Sequence, residues 1–274
     1  MEKADELVVP SRIQSPSSIT TYQKCPRKYY YSYIECLEQK PSIHLVRGTI
    51  AHSVLDKFFA TDVSNLTRQN FANHFRLVVQ DLLVKEWQDA QPKMQAMGVS
   101  KEDEIVFFEE TLVMIFNWLE NFIYRFQIEQ GEISQIFHKL TPLREIKYAS
   151  DELFVRGVID VIEQHGAETR IMDYKTSNHS NIDEYRLQLA IYSLLYFERH
   201  AKLPSKAGIY FLKENKVKFV NVNDELLDFA KKEIKNIHQK TFSKNKKDYP
   251  KHITSLCKWS TGQCDFYDVC MKSD

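Results

Sequence analysis

Two aspartates and a lysine stand where they could do phosphate chemistry. Asp160 closes the run Gly157-Val-Ile-Asp160, and Asp173-Tyr-Lys175 follows after a turn at His165-Gly166-Ala167. Both lie near the ends of apolar, β-branched stretches, so adjacent antiparallel strands would set the two carboxylates side by side. Carboxylates so placed repel unless a divalent cation neutralises them, and hard oxygen ligands suit magnesium or manganese. Lys175, two residues beyond Asp173, points to the same strand face, where an ammonium can orient an attacking water and offset charge developing on a phosphate. Spacing alone leaves a plainer reading open: Asp-x-Lys recurs by chance in charged chains, and an Asp at a strand end is commonly a turn residue.

A second set of reactive side chains lies at the two extremes of the chain. Of five cysteines, Cys25 is early and Cys257, Cys264 and Cys270 are late, while Cys36 is a spare expected to pack behind the first helix. In a reducing compartment this distribution suggests metal ligation more than disulfides. Four thiolates suffice for tetrahedral zinc or for an iron–sulfur cluster, and spacing does not choose between them. There is no close Cys-x-x-Cys pair of the zinc-ribbon kind.

The elements that must position these residues are legible from periodicity. A helix from a Ser17 cap to about Ile34 is expected, kinked near Cys25 by Pro26. Further helices are expected over Thr49 to Ala60, Thr67 to Asp89 and Glu102 to Glu129, the last two separated by the stretch from Pro92 to Gly98. The segments LREIKYAS, LFVRGVIDVIEQ and ETRIMDYKT then read as a strand meander. Glu184 to Arg199 returns to helical spacing with Leu187, Ala190, Ile191, Leu194 and Leu195 on one face, before strands at Ala207 to Leu212 and Val217 to Val222. Asp224 is expected to cap a last helix. The fold class is α/β: a mixed central sheet flanked by helices in a single domain over residues 1–274, with a helical insertion at about 61–135 and a cysteine-rich segment at about 250–274.

The 274 residues, 43% hydrophobic and 12% aromatic, can fill a substantial core. Charges balance at 37 basic against 37 acidic residues, which excludes a global positive field that would coat nucleic acid indiscriminately. DNA contact would have to come from local patches, such as the lysines between Lys231 and Lys251, joined by Arg27 and Lys28 if the chain ends meet. Tyr22 and Tyr29 to Tyr31 suit base stacking and a core helix equally. The sequence shows neither a signal-peptide core nor a membrane-length apolar run, so it reads as soluble and cytoplasmic.

The order Gly48-Thr-Ile-Ala-His52, Gly157-Val-Ile-Asp160, Asp173-Tyr-Lys175, Gln188-Leu-Ala-Ile-Tyr192 resembles the ordered motifs of RecB-like nucleases in the PD-(D/E)xK superfamily. The opening Ser15-Pro-Ser-Ser-Ile-Thr-Thr-Tyr-Gln-Lys-Cys25-Pro-Arg-Lys-Tyr-Tyr is similar to the start of that family's nuclease domain. The resemblance implies a restriction-endonuclease-like core in which His52, Asp160, Asp173 and the backbone carbonyl of Tyr174 bind a catalytic Mg2+ or Mn2+. It further implies that Lys175 is catalytic and that Gln188 and Tyr192 line the site, touching DNA or the lysine. Iron–sulfur members of this group, AddB-type and CRISPR-associated, bracket the core with one early and three late cysteines. By that resemblance Cys25, Cys257, Cys264 and Cys270 would hold a structural four-iron, four-sulfur cluster, although the gap from Cys257 to Cys264 exceeds the family's usual spacing. Glu145 is left outside this set, able either to join the metal or to pair with Arg144, Lys147 or Arg156.

The implied activity is hydrolysis of a DNA phosphodiester, on single strands or DNA ends, in recombination, repair or CRISPR-type processing. No Walker A motif is present, so a motor or a CRISPR adaptation partner would be a separate protein. The alternative is a catalytically idle nuclease fold that binds DNA or a partner; the six retained site residues argue against it.

Overall fold

The computed structural model describes residues 10–177, 180–259 and 262–272; the remaining parts of the expected domain and of its cysteine-rich end lie outside them. Helix α1 (Pro16–Lys24) starts at Ser15, two residues before the expected cap. The Ser15 hydroxyl accepts from the Ser18 N–H while the Ser15 N–H donates to the Ser18 hydroxyl, and Pro16 occupies the first turn, where its missing N–H costs nothing. The helix breaks at Cys25, which is extended because Pro26 disfavours helical backbone in the residue before it. Helix α2 (Pro26–Tyr29) and a π turn (Tyr30–Ile34) follow, leaving Cys36 exposed rather than packed.

Helix α3 (Ile43–Phe58) leads into the long pair α4 (Phe71–Ala96) and α5 (Lys101–Ile128). Pro92 does not separate this pair: α4 runs through it, and the chain reverses only at Gly98, whose φ of +72° suits a residue without a side chain, before Ser100 caps α5. On α4, Phe71, Phe75, Val79, Leu83 and Trp87 recur every four residues and face α3 and α5. Phe58 is their hub, fully buried with the rings of Phe75, Trp118, Phe122 and Phe137 at 5.2 to 5.9 Å. An unexpected short helix, α6 (Ile133–Leu140), supplies Phe137 to that hub.

The five-stranded sheet runs in the order β1 (Leu143–Ser150), β2 (Val155–His165), β3 (Glu168–Lys175), β4 (Lys206–Phe211), β5 (Lys216–Asn221). All neighbours are antiparallel except β3 and β4, which α7 (Arg186–His200) connects as a parallel pair. The sheet is thus mixed, as expected, and sandwiched between two helical layers. One layer is built on α3 and α5; the other is α7, whose Leu187, Ala190, Ile191, Leu194 and Leu195 face the sheet beside α8 (Asp224–Lys240). The cap of α8 is Asn223, not Asp224, its side chain accepting from the Leu226 N–H at 3.0 Å.

Past α8 the chain returns to the N-terminal helices. Tyr249 is fully buried against Tyr22, Tyr29 and Tyr30, and Phe266 packs on Tyr31 at 5.4 Å. These tyrosines are therefore core residues that fasten one chain end to the other. A two-stranded ribbon, β6 (Lys258–Trp259) with β7 (Gly262–Gln263), and helix α9 (Tyr267–Lys272) complete the described residues.

Candidate active site

Sheet register builds the site. Glu145 falls opposite Asp160, between the pairs Arg144↔Val161 and Ile146↔Ile159. Val161 faces Met172 on the next strand, and one step along that register Asp160 falls opposite Asp173. Three carboxylates thus form a row across β1, β2 and β3, and like charges directly opposite one another are unfavourable. Glu145 carries a φ of +50°, a left-handed conformation that costs a residue with a side chain about 1–2 kcal/mol.

His52 closes the row from α3, which the Phe58 hub holds against the sheet. Its Nε2–H donates to the Tyr174 carbonyl at 3.0 Å, and its Nδ1 lies 3.4 Å from Asp160 Oδ2. The first bond fixes the tautomer of a neutral imidazole and turns the Nδ1 lone pair toward the carboxylates. Among the described residues, His52, Glu145 and Asp160 are the group whose donor atoms all lie within 4.8 Å of one another. Glu145 makes no ion pair with Arg144, Lys147 or Arg156 among the described residues; Arg144 is bound to Asp56 instead. The expected Tyr174 carbonyl is at the site, engaged by His52.

Asp173, 2% exposed, is gripped from two sides. Gln188 of α7 donates its amide N–H to Asp173 Oδ1 at 2.6 Å and to the Tyr192 hydroxyl at 3.0 Å, so within the protein it holds the carboxylate, while it also lines the groove. Lys175 Nζ lies 2.6 Å from Asp173 Oδ2, so the ammonium holds the carboxylate's second oxygen. The Tyr192 ring presses on β2 at Gly157, where an added Cβ would meet it at 2.9 Å; this explains why a glycine opens that motif. The lysine is further held over the Tyr185 ring, 5.2 Å from its centroid. Glu145 and Tyr185 were outside the expected set. Glu145 had a signal in its place on the strand before Asp160, whereas Tyr185 had none apart from its position three residues before Gln188.

The electrostatics follow from the geometry. Burial pushes the Asp160 carboxyl up to about 8, and the nearby Asp173 and Glu145 carboxylates add to that, against the Tyr174 N–H and Lys175. Burial likewise raises Glu145 above the usual carboxylate range, with Asp56 and Asp173 adding to it against the pull of His52. Burial opposes the charge on Lys175, yet the Asp173 carboxylate outweighs it and holds the ammonium above its ordinary value. Three crowded carboxylates, two of them driven toward protonation, with His52 beside them, form an oxygen-rich donor set that fits a divalent cation.

Asp160 and Asp173 open into a groove of about 990 Å³, and Glu145 lines an adjoining hollow with His52 and Asp160. Lys24 and Lys28 line its α1–α2 side and Lys147 and Arg156 its β1–β2 side, with Asp160, Asp173 and Lys175 on the floor. None of the lysines between Lys231 and Lys251 lines it. Arg27 is 6% exposed and so turned inward, away from any groove ligand.

The four terminal cysteines line one small cavity, together with Arg27, Lys251 and Phe266. Cys257, despite its long spacing to Cys264, is brought in by a backbone bond from the Cys264 N–H to its own carbonyl at 2.9 Å. No three of these sulfurs come within 4.8 Å of one another among the described residues, whereas tetrahedral zinc with 2.3 Å bonds would set them about 3.8 Å apart. Burial pushes the Cys270 thiol up, opposed first by Lys251 and then by Arg27. The convergence of four sulfurs on a cavity with buried positive charge fits an anionic thiolate-bound metal centre.

No helix among the described residues is long and apolar enough to cross a membrane. The chain is 24% identical over 212 residues to the Gene 69 protein of Mycobacterium phage D29, covering 73% of this chain and 74% of that one. It is 27% identical over 176 residues to the CRISPR-associated exonuclease Cas4 of Francisella tularensis subsp. novicida (strain U112), covering 61% of this chain and 86% of the relative. A solved structure from Eubacterium rectale, carried under a provisional exonuclease name, shares the fold at a TM-score of 0.50 over 98% of both chains, with 13% identity. The model of the PD-(D/E)XK nuclease superfamily matches residues 14–271, nearly the whole sequence. With the ordered motifs now gathered around one carboxylate row, the chain belongs to the PD-(D/E)XK nuclease superfamily.

Proposed function

We propose that this protein is a divalent-metal-dependent DNA exonuclease acting on single strands or DNA ends. The observation that carries the reading is the row Glu145–Asp160–Asp173, closed by His52 and Lys175, of which His52, Asp160, Asp173 and Lys175 line a groove with cationic walls. In this reading His52, Glu145, Asp160 and Asp173 hold Mg2+ or Mn2+, with the Tyr174 carbonyl as a further donor through its second lone pair. The ion supplies Lewis acidity, polarising the scissile phosphate and lowering the pKa of water.

The protein's own groups do the rest. Gln188 fixes Asp173, so that the carboxylate does not swing when substrate enters. Lys175, protonated at neutral pH, orients the attacking water and offsets charge on the phosphate, and Tyr185 limits its swing. Lys24, Lys28, Lys147 and Arg156 track the phosphates flanking the cleaved bond without reading bases. Tyr192, its phenol kept protonated by burial, is a fixed spacer between α7 and β2 rather than a proton donor.

One nuclease domain spans the chain, with the α4–α5 hairpin as an insertion. The four cysteines carry a four-iron, four-sulfur cluster in preference to zinc, a reading supported by their convergence on one cavity and by the resemblance to iron–sulfur nucleases. Its role is structural: it closes a loop of more than two hundred residues between Cys25 and Cys257. Similarity to a CRISPR-associated exonuclease supports a role in CRISPR adaptation or DNA repair beside a separate helicase or integration partner.

The test is cleavage of DNA labelled at either end, single- and double-stranded, by anaerobically purified protein with Mg2+, Mn2+ or EDTA. Metal-dependent degradation of single strands, lost in Asp173→Ala and Lys175→Ala, is the expected result, and the product ladder gives the polarity. Metal-independent cleavage, or none with DNA binding retained, would replace this reading by that of a DNA-binding scaffold.

A further inference from the structure

Arg27 is the most buried cation at the chain ends, and its burial is incompletely compensated. Its backbone N–H donates to the Pro250 carbonyl at 3.2 Å and its Nε–H to the Tyr249 carbonyl at 2.7 Å, so the side chain is pinned between α2 and the returning C-terminal segment. Its Nη1 is buried and has no hydrogen-bond partner among the described residues. A guanidinium cannot shed its proton to relieve this, so an orphaned N–H on a residue 6% exposed carries the full desolvation penalty unless an anion lies alongside. Among the described residues, the cavity that Arg27 lines holds Cys25, Cys257, Cys264 and Cys270 and no carboxylate. Four thiolates bring more negative charge than a zinc ion or an iron–sulfur core returns, so such a centre is a net anion. Lys28 and Lys251 also line the cavity, but both are half-exposed and screened by water, unlike the dry guanidinium.

We propose that Arg27 is the built-in counter-charge of the cysteine-held centre, a positioning residue that retains the metal and, in an iron–sulfur cluster, raises its reduction potential. The proposal rests on the reading of the cysteines as metal ligands and adds a residue two positions after Cys25 that donates no ligand. Reduction adds an electron to an already negative centre, so removing the adjacent positive charge disfavours the reduced state. The bond to Tyr249 separates this electrostatic role from a mechanical one: a glutamine can still donate to that carbonyl but brings no charge.

The experiment reconstitutes the full-length protein anaerobically with ferrous iron and sulfide. Wild type is compared with Arg27→Gln and Arg27→Lys for bound iron and sulfide, rate of iron loss to a chelator, and midpoint potential in a dithionite titration followed by electron paramagnetic resonance. Arg27→Gln is expected to lose iron at least tenfold faster and to titrate at a more negative potential, while Arg27→Lys stays near wild type in potential. A wild-type potential and a wild-type rate of iron loss in loaded Arg27→Gln would overturn the proposal. Should Arg27→Gln fail to fold, Arg27→Lys decides it: a potential well below wild type although the charge is kept shows that charge is not the determinant. If wild type takes zinc in place of iron, zinc transfer to a chelator is read the same way, and the cluster reading falls while Arg27 is still tested. If wild type binds neither metal, both readings fall together.

Discussion

Two acidic residues three positions apart on β2 meet opposite fates. Glu163 is almost as enclosed as Asp160, but the protein answers its charge: Arg125 donates to it at 2.8 Å and His165 lies 2.8 Å from its other oxygen. Burial would raise its carboxyl, yet those two partners outweigh it and hold the group down at about 2. Asp160, pushed up first by burial and then by two neighbouring carboxylates, has the Tyr174 N–H, the more distant Lys175 and His52 Nδ1 at 3.4 Å beside it, and goes up to about 8. The difference identifies the functional face. Where the fold needs a carboxylate for its own stability it provides a partner; where it leaves carboxylates crowded and unanswered, a cation from outside must complete the set.

The comparison breaks first, and most, in activity. Asp160→Asn removes a metal-facing carboxylate and is expected to lower cleavage of labelled DNA on the order of 10³-fold, the scale of losing one preorganised electrostatic group. Glu163→Gln, on the same strand, should cleave within a few-fold of wild type. Equal losses in the two variants would erase the distinction.

Next in size is the stability carried by the answered carboxylate. Arg125→Met leaves Glu163 with His165 alone and should cost about 1–3 kcal/mol in urea unfolding at pH 7, discounted because the arginine is partly exposed. Gly157→Ala should act at the unanswered site without touching its ligands. The new Cβ pushes the Tyr192 ring and with it Gln188 and Asp173, so kcat should fall about tenfold while the melting temperature moves little.

The smallest effect is the most diagnostic, because the two carboxylates give opposite pH dependence. Glu163, depressed in the fold, contributes stability that is present above the unfolded value and lost as pH falls from about 4.5 to about 2. Asp160, raised in the fold, keeps its proton while the unfolded chain releases its own, so metal-free stability falls as pH rises from about 4 to about 8. In the absence of metal, Asp160→Asn should therefore match wild type near pH 4 and become progressively more stable than it toward pH 8. Glu163→Gln should be weaker than wild type at pH 6 and converge with it toward pH 2. Urea unfolding across this range measures both curves.

Much of this site was legible before the fold was. Alternating and β-branched residues marked β1, β2 and β3 closely, and once the turn at Gly166 was placed, Asp160 and Asp173 had to be neighbours. Lys175 followed from strand periodicity, and the helical face of α7 from its leucines. What stayed hidden depends on contacts between distant segments. Glu145 joins the row only through register and a left-handed backbone, neither written in its identity. Gln188 could be placed on a helix but not assigned Asp173 as its partner. Arg27 looked like a DNA contact because arginines usually are exposed; its burial depends on Tyr249, more than two hundred residues away. Pro92 suggested a break that the packing of α4 against α3 and α5 overrides.

The claim that the unanswered row is a metal site is tested most directly by calorimetric titration of Mn2+ into metal-free wild type, Asp160→Asn and Glu163→Gln at pH 7, in two buffers of different ionisation enthalpy. The account predicts that wild type and Glu163→Gln bind Mn2+ with release of a proton, because the ion displaces the one held by Asp160, and that Asp160→Asn binds at least tenfold more weakly without that release. Equal Mn2+ affinity in wild type and Asp160→Asn, or no binding to any of the three, would contradict it.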